Sequence, residues 1–156
     1  LVLVGTAFPM KVSQVLLDTS ISDPMQALKL VNVFSRSTLA APPSALGPGT
    51  WVYGAGMALG RRVLASNTTV NVFHRGFSAC NQYANGENAM ASIACPVLFL
   101  LGKQDQMTQE KAAKSLIDAA RTSGKTVRIA SLDVGHHQMT ETPEETLFSI
   151  RDFLNS

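Results

Sequence analysis

The sequence predicts an α/β fold, with parallel strands and flanking helices, on three observations. Residues 96–101, "PVLFLL", are continuously apolar, which is the pattern of a strand buried on both faces. Helical apolar spacing over 109–123 and a second β-like run over 127–132 follow it. That strand–helix–strand order calls for a right-handed parallel crossover. The chain also opens on "LVLVG", a β-branched apolar run of the same buried-strand kind, with no initiator methionine, as if it begins in mid-fold.

Between the first strand and residue 91 the text is helical and broken by turns, with no convincing strand. Asp23 can cap a helix whose first position is Pro24, with Met25, Leu28, Val31 and Val33 as its apolar stripe and an end near Ser35. A loop, "AAPPSALGPGT", is expected over 40–50. A glycine-studded helix is expected over 51–65, then shorter helical segments through "FSACNQY" and "GENAMASIA".

From residue 96 the elements become regular. The helix over 109–123 places Ala112, Ala113, Leu116, Ile117 and Ala120 on one face and stops at Gly124. After the strand over 127–132, "TPEE" at 142–145 reads as a capping box: Thr142 as cap, Pro143 first, Glu145 closing. Leu147, Ile150, Phe153 and Leu154 are the expected buried side of the final helix.

Composition narrows the function classes. The chain has 156 residues, 46% of them hydrophobic, which fits one globular unit. A net charge of +2 comes from thirteen scattered basic residues with Arg61-Arg62 the only adjacent pair, so nothing calls for nucleic acid or an anionic membrane. No apolar run approaches the ~20 residues of a membrane span, and no signal-like segment opens the chain. Cys80 and Cys95 are too few for a disulfide framework or a zinc site. They are expected to be buried thiols in a reducing, cytoplasmic setting.

The crossover decides where chemistry can occur. Consecutive parallel strands present their carboxyl ends on one edge, so the loop "GKQDQ" after the first meets "DVGHHQ" after the second, and Asp105 can reach a histidine there. A carboxylate on one ring nitrogen fixes the tautomer and leaves the other free as a general base. The bland alternative is a loop histidine bonded to backbone. A zinc site from Asp133, His136 and His137 is disfavoured, because adjacent side chains in a loop point apart.

These residues carry a resemblance. A strand followed by Gly102-x-x-Asp105, then a strand and "GHHQMTETP", resembles the acid and histidine segments of α/β-hydrolases. The likeness is close over the last sixty or so residues. "LVLVGTAFPM" resembles the strand after the nucleophile helix, and the helical stretch resembles the inserted cap. The resemblance implies a partial α/β-hydrolase fold divided into a core strand (1–8), a helical cap (9–93) and a C-terminal core (94–156). It selects His136, which follows the glycine, with Glu141 and Pro143 in register, and it places the acid at Asp105 in preference to Asp133. His137 departs from the apolar or aromatic residue usual at that position. No cofactor and no metal are implied.

The family's nucleophile lies on a strand-to-helix Gly-x-Ser-x-Gly turn upstream of the acid, and no such motif occurs in this chain. Ser78 in "GFSAC" has no preceding strand and is read as an exposed or capping serine. "GAGMALG" at 54–60 is one residue longer than a dinucleotide fingerprint and is read as close helix packing. The expected enzyme therefore hydrolyses a small, hydrophobic ester or related bond, with a nucleophile, serine by expectation, upstream of this chain. Phe34, Trp51, Tyr53, Met57, Phe73, Phe77 and Tyr83 could line a substrate pocket, with Trp51, Tyr53, Met57, Phe77 and Tyr83 as the candidates kept, although a cap core is the safer reading for most of them. Tyr53 and Tyr83 could polarise an epoxide, and Trp51 could hold a halide. The expected partners are a hydrophobic small molecule and either the N-terminal part of the same fold or a second copy docked on the exposed strand edge. The alternative is a non-catalytic binding or assembly piece of the same fold.

Overall fold

The computed structural model describes residues 1–37 and 51–156; the loop expected over 40–50 lies outside them. Strands β1 (Val2–Val4), β2 (Val97–Gly102) and β3 (Val127–Leu132) form a parallel sheet in the order β1-β2-β3, with Val2 opposite Leu98 and Phe99 opposite Ile129. Every residue of β2 is buried. This is what a continuous apolar run requires when strands flank it and helices cover both faces.

The core lies on one face of that strand. Val97, Phe99 and Leu101 alternate toward Ala113, Leu116, Ile117 and Ala120, the last three on α6 (Lys114–Thr122). A short 3-10 turn, Glu110–Ala113, leads into α6, so the helix expected over 109–123 starts with a tighter turn. It ends as expected at Gly124, whose φ of 75° is the left-handed value that glycine adopts without penalty. On the other side, after the one-turn α7 (Gln138–Glu141), α8 (Pro143–Leu154) packs on β2 and β3.

The buried stripe of α8 is narrower than its apolar residues suggested. Thr146 and Phe153 are buried and Ile150 half-buried, but Leu147 and Leu154 are exposed. Each lies about 100° around the helix from the buried line, beyond the two strands that α8 covers. The capping box also closes differently: the Thr142 hydroxyl donates to the Glu145 carboxylate instead of taking a backbone N–H.

Among the described residues, five helices stand between β1 and β2: α1 (Gln14–Ser22), α2 (Pro24–Phe34), α3 (Val52–Ala65), α4 (Val72–Gln82) and α5 (Gly86–Ser92). Asp23 caps α2 by accepting from Gln26 N–H at 3.0 Å, with Pro24 first in the helix. The α2 face differs from the expected stripe. Ala27, Leu28 and Asn32 are buried while Val33 is exposed, because α2 is packed between α1 and α3. Asn32 donates to the Tyr53 carbonyl at 3.2 Å, and a Cβ on Gly56 or Gly60 would strike Asn32 or Leu28, so the glycine run of α3 serves close helix packing. Helix α5 lies within 9–93 yet packs on α6 and sends Met90 into the sheet core. Neither cysteine is buried: Cys80 is half-buried on α4, and Cys95 is exposed in the turn before β2.

Candidate active site

Two loops at the carboxyl edge of the sheet and the end of β1 converge on one buried carboxylate. Asp105 sits in the tight turn after β2, with its side chain fully enclosed. One oxygen, Oδ1, accepts from the backbone N–H groups of Met107 and Thr108, both at 2.8 Å. The other, Oδ2, lies 2.9 Å from His136 Nδ1 and 2.8 Å from the Thr108 hydroxyl. Burial pushes the carboxyl pKa up. The hydrogen bonds from His136 and Thr108 and the charge of His136 outweigh burial and hold it below the usual value, so Asp105 stays ionised.

His136 follows β3 and keeps about a third of its side chain exposed, at the wall of a cavity. With Nδ1 turned to Asp105, Nε2 is left as the nitrogen available for proton transfer. Gly5, the residue after β1, makes the close approach possible. Its φ is 56°, and a Cβ there would stand 3.2 Å from His136 Nδ1 and 3.6 Å from Asp105 Oδ2. Asp133 is elsewhere: it is exposed and accepts from Gln104 Nε2 at 2.9 Å.

The histidine loop is held from two sides. The Ser35 carbonyl, at the end of α2, accepts from the amides of His136 at 2.8 Å and His137 at 3.2 Å. Glu141 is buried and takes Gly135 N–H at 3.2 Å, His137 N–H at 3.2 Å, Ser37 N–H at 2.9 Å and the Ser37 hydroxyl. Gln138 is fully buried; oriented to satisfy its surroundings, its amide accepts from Gly102 N–H at 2.9 Å and donates to the Leu100 carbonyl at 3.1 Å. The His137 ring stands at 81° to that of His136, with centroids 6.2 Å apart. Burial, then the charges of Arg36 and His136, lower the His137 pKa against the opposing pull of Glu141 and Asp105. Among the described residues, no three His, Cys, Asp or Glu side chains cluster in a way that could hold a metal ion.

The cavity beside His136 has a volume of about 640 Å³, and its lining is mostly apolar, including Val12, Leu16, Leu30, Phe34, Phe77 and Met107. Of the aromatic and methionine residues weighed for the pocket, Phe34 and Phe77 are in the wall, and Phe73 packs edge-on against Phe77. Trp51 is largely exposed and leans toward Tyr53 at the start of α3, Met57 is buried within α3, and Tyr83 packs edge-on against Phe8. Ser78 is neither exposed nor a cap. It lies in the middle of α4 with its hydroxyl 3.2 Å from His74 Nε2, and His74 Nδ1 lies 2.8 Å from the buried Ser20 hydroxyl of α1. One helical turn separates His74 from Ser78, so they share a face that ties α4 to α1.

No family model and no curated relative matches the chain. Solved structures do. An esterase from Exiguobacterium antarcticum superposes with a TM-score of 0.72 at 13% identity over 99% of this chain. A thermophilic esterase gives 0.69 at 20% identity, again over 99%, and a hydrolase from Pseudomonas aeruginosa PA01 gives 0.66 at 18% over 99%. This chain has a partial α/β-hydrolase fold. It spans about half the length of these α/β-hydrolase structures, 56%, 55% and 55% respectively. Asp105 and His136 occupy the loops after β2 and β3, two neighbouring strands of the sheet.

The contacts that sequence reasoning missed are those of Thr108, Gln138 and the Glu141 clamp. Glu141 alone carried a signal, its register behind the glycine-histidine pair. Thr108 and Gln138 had none, since a hydroxyl or amide that joins distant segments leaves no periodic trace.

Proposed function

We propose that this chain supplies the acid and the base of an α/β-hydrolase whose nucleophile, a serine, lies on a segment upstream of Leu1. One observation carries the reading: the 2.9 Å contact of Asp105 Oδ2 with His136 Nδ1, His136 lying in the wall of a mostly apolar cavity. His136 Nε2 takes the serine proton as the hydroxyl attacks the carbonyl carbon. Asp105 stabilises the imidazolium, which then returns the proton to the leaving oxygen, and a water molecule repeats the sequence to release the acid. The oxyanion donors come from the same upstream segment as the nucleophile.

In this reading α1 to α4 form the cap, and α5 belongs with the sheet layer. The mostly apolar cavity wall suits a small ester with a hydrophobic acyl or alkyl part. The open edge of β1 is where the upstream strand would pair. The free thiols Cys80 and Cys95 fit a reducing, cytoplasmic setting. The esterases and hydrolases among the structural neighbours favour this reading over a non-catalytic assembly piece.

The test is hydrolysis of p-nitrophenyl esters of graded acyl length by a protein that carries the nucleophile segment ahead of Leu1. His136→Ala should lower kcat by several powers of ten, and His137→Ala far less. Equal losses would show that His136 is not the base. The 156-residue chain by itself should stay unlabelled by serine-reactive phosphonates, and stoichiometric labelling of Ser78 would overturn the assignment of an upstream nucleophile.

A further inference from the structure

The Thr108 hydroxyl is buried where three segments of chain meet. It lies 2.7 Å from the Gly5 carbonyl at the end of β1, 2.8 Å from Asp105 Oδ2 in the loop after β2, and 3.0 Å from His136 Nδ1 in the loop after β3. It has one proton to give. The Gly5 carbonyl and the ionised Asp105 oxygen are acceptors only, and when the proton is given to either of them the oxygen offers a lone pair to a protonated Nδ1. His136 Nδ1 therefore faces two acceptors, Asp105 Oδ2 and Thr108 Oγ1. A bare Nδ1 would set its lone pair against the Asp105 carboxylate and could be satisfied only by drawing the Thr108 proton away from both of its other acceptors. We propose that Thr108 is a positioning residue that, together with Asp105, holds the His136 proton on Nδ1 and so keeps the Nε2 lone pair directed to the cavity.

The threonine is itself fixed by the groups it serves. Its backbone N–H donates to Asp105 Oδ1 at 2.8 Å, so the carboxylate sets where the hydroxyl can stand. The branched Cβ restricts χ1, and the left-handed backbone of Gly5 leaves the space into which the imidazole and carboxylate fit. A carboxylate alone contacts Nδ1 along one line and leaves the ring free to tilt about it. A second acceptor off that line fixes the tilt. The inference rests on His136 as the base for its consequence in catalysis, but not for its geometry, which can be read in the 156-residue chain.

The experiment is long-range ¹H–¹⁵N correlation of the histidine rings in the full chain at a pH where the His136 ring is neutral, with the His74 and His137 signals as monitors of the fold. The unsubstituted chain should show His136 in the Nδ1–H form. Thr108→Val should give a mixture with the Nε2–H form, and Thr108→Ser should restore the single form. If Thr108→Val shifts the His74 and His137 signals, Thr108→Ala is read in its place with the same expectation. An unchanged tautomer in the variant lacking the hydroxyl, or failure of serine to restore it, overturns the proposal. In the protein carrying the nucleophile segment, Thr108→Val should lower kcat about tenfold with KM nearly unchanged, and Thr108→Ser should recover it. If His136→Ala proves harmless to activity, the reading of His136 as base fails, while the tautomer result stands or falls on its own.

Discussion

Gly5 and His136, far apart in the chain, touch so closely that a single added carbon on the glycine would stand 3.2 Å from the imidazole Nδ1. The glycine is also at φ 56°, which side-chain-bearing residues adopt at a cost of roughly 1–2 kcal/mol. Gly5→Ala should therefore destabilise the chain by at least about that amount and displace the ring. Urea unfolding and the His136 ring shifts report the two effects separately. A variant with an unchanged midpoint and unchanged shifts would mean that the close approach is not present in solution.

Asp105→Asn should leave the fold intact and lower kcat by up to ~10⁴-fold, because an amide nitrogen turned to Nδ1 favours the wrong tautomer. Asp133→Asn should change kcat little, since that carboxylate meets Gln104 and solvent. The comparison is kcat for both variants in the protein carrying the nucleophile segment, with circular dichroism to check folding. A full loss from Asp133→Asn beside a near-normal Asp105→Asn would reverse the assignment.

Glu141→Ala removes the acceptor for four donors on Gly135, His137 and Ser37. Hydrogen bonds to a charged group contribute about 1.5–3 kcal/mol, and buried donors left unpaired add their own cost, so a loss of at least ~2 kcal/mol is expected in denaturant melts. Faster amide exchange should appear together at His136 and His137, whose amides meet the Ser35 carbonyl. Exchange unchanged at both would show that the clamp does not hold the loop.

Stability should fall with acid in two steps. The folded pKa of His137 lies below its ordinary 6.5, so the unfolded chain takes up this proton first. Stability is complete above about pH 6.5 and declines as the pH falls through the folded value. The folded pKa of Asp105 lies below its ordinary 3.8, so the stability it contributes is present above that pH and lost as the pH falls through the folded value. Urea midpoints measured from pH 8 down to the acid limit of folding should show the first step and the onset of the second below pH 3.8, and His137→Gln should remove the first alone. A first step that survives His137→Gln would assign it to another group.

How legible the molecule was in its sequence follows from how local each signal is. The crossover β2–α6–β3 was readable because each element buries a stripe of its own period. That Asp105 meets a histidine followed from the handedness of that connection, whereas the choice of His136 over His137 came from the resemblance to α/β-hydrolases. The face of α2 was misread at Val33, since the choice among apolar residues on a helix depends on which neighbours arrive, and here α1 and α3 bury Asn32 in its stead. Leu147 and Leu154 look as core-like as Phe153 in the text, but the sheet that α8 covers is narrow. The cavity wall was least legible. It is assembled from single side chains on β1, α1, α2, α4 and the loops after β1, β2 and β3, and of the aromatic and methionine residues picked out by type Phe34 and Phe77 take part.

The pairing of Val2 with Leu98 places the first strand of the sheet opposite a partner on the order of a hundred residues later. Parallel pairing at such a separation demands that a long loop be closed before any ladder bond rewards it, at a cost that grows only logarithmically with loop length but must be met early. β2 and β3 can associate through the short α6 connection, whereas the edge of β1 that faces β2 must wait for it. During synthesis that edge leaves the ribosome well before its template exists. Assembly of the Gly5, Asp105 and His136 cluster is therefore a late event on the folding path, and the chain is most prone to aggregate in the interval before it forms.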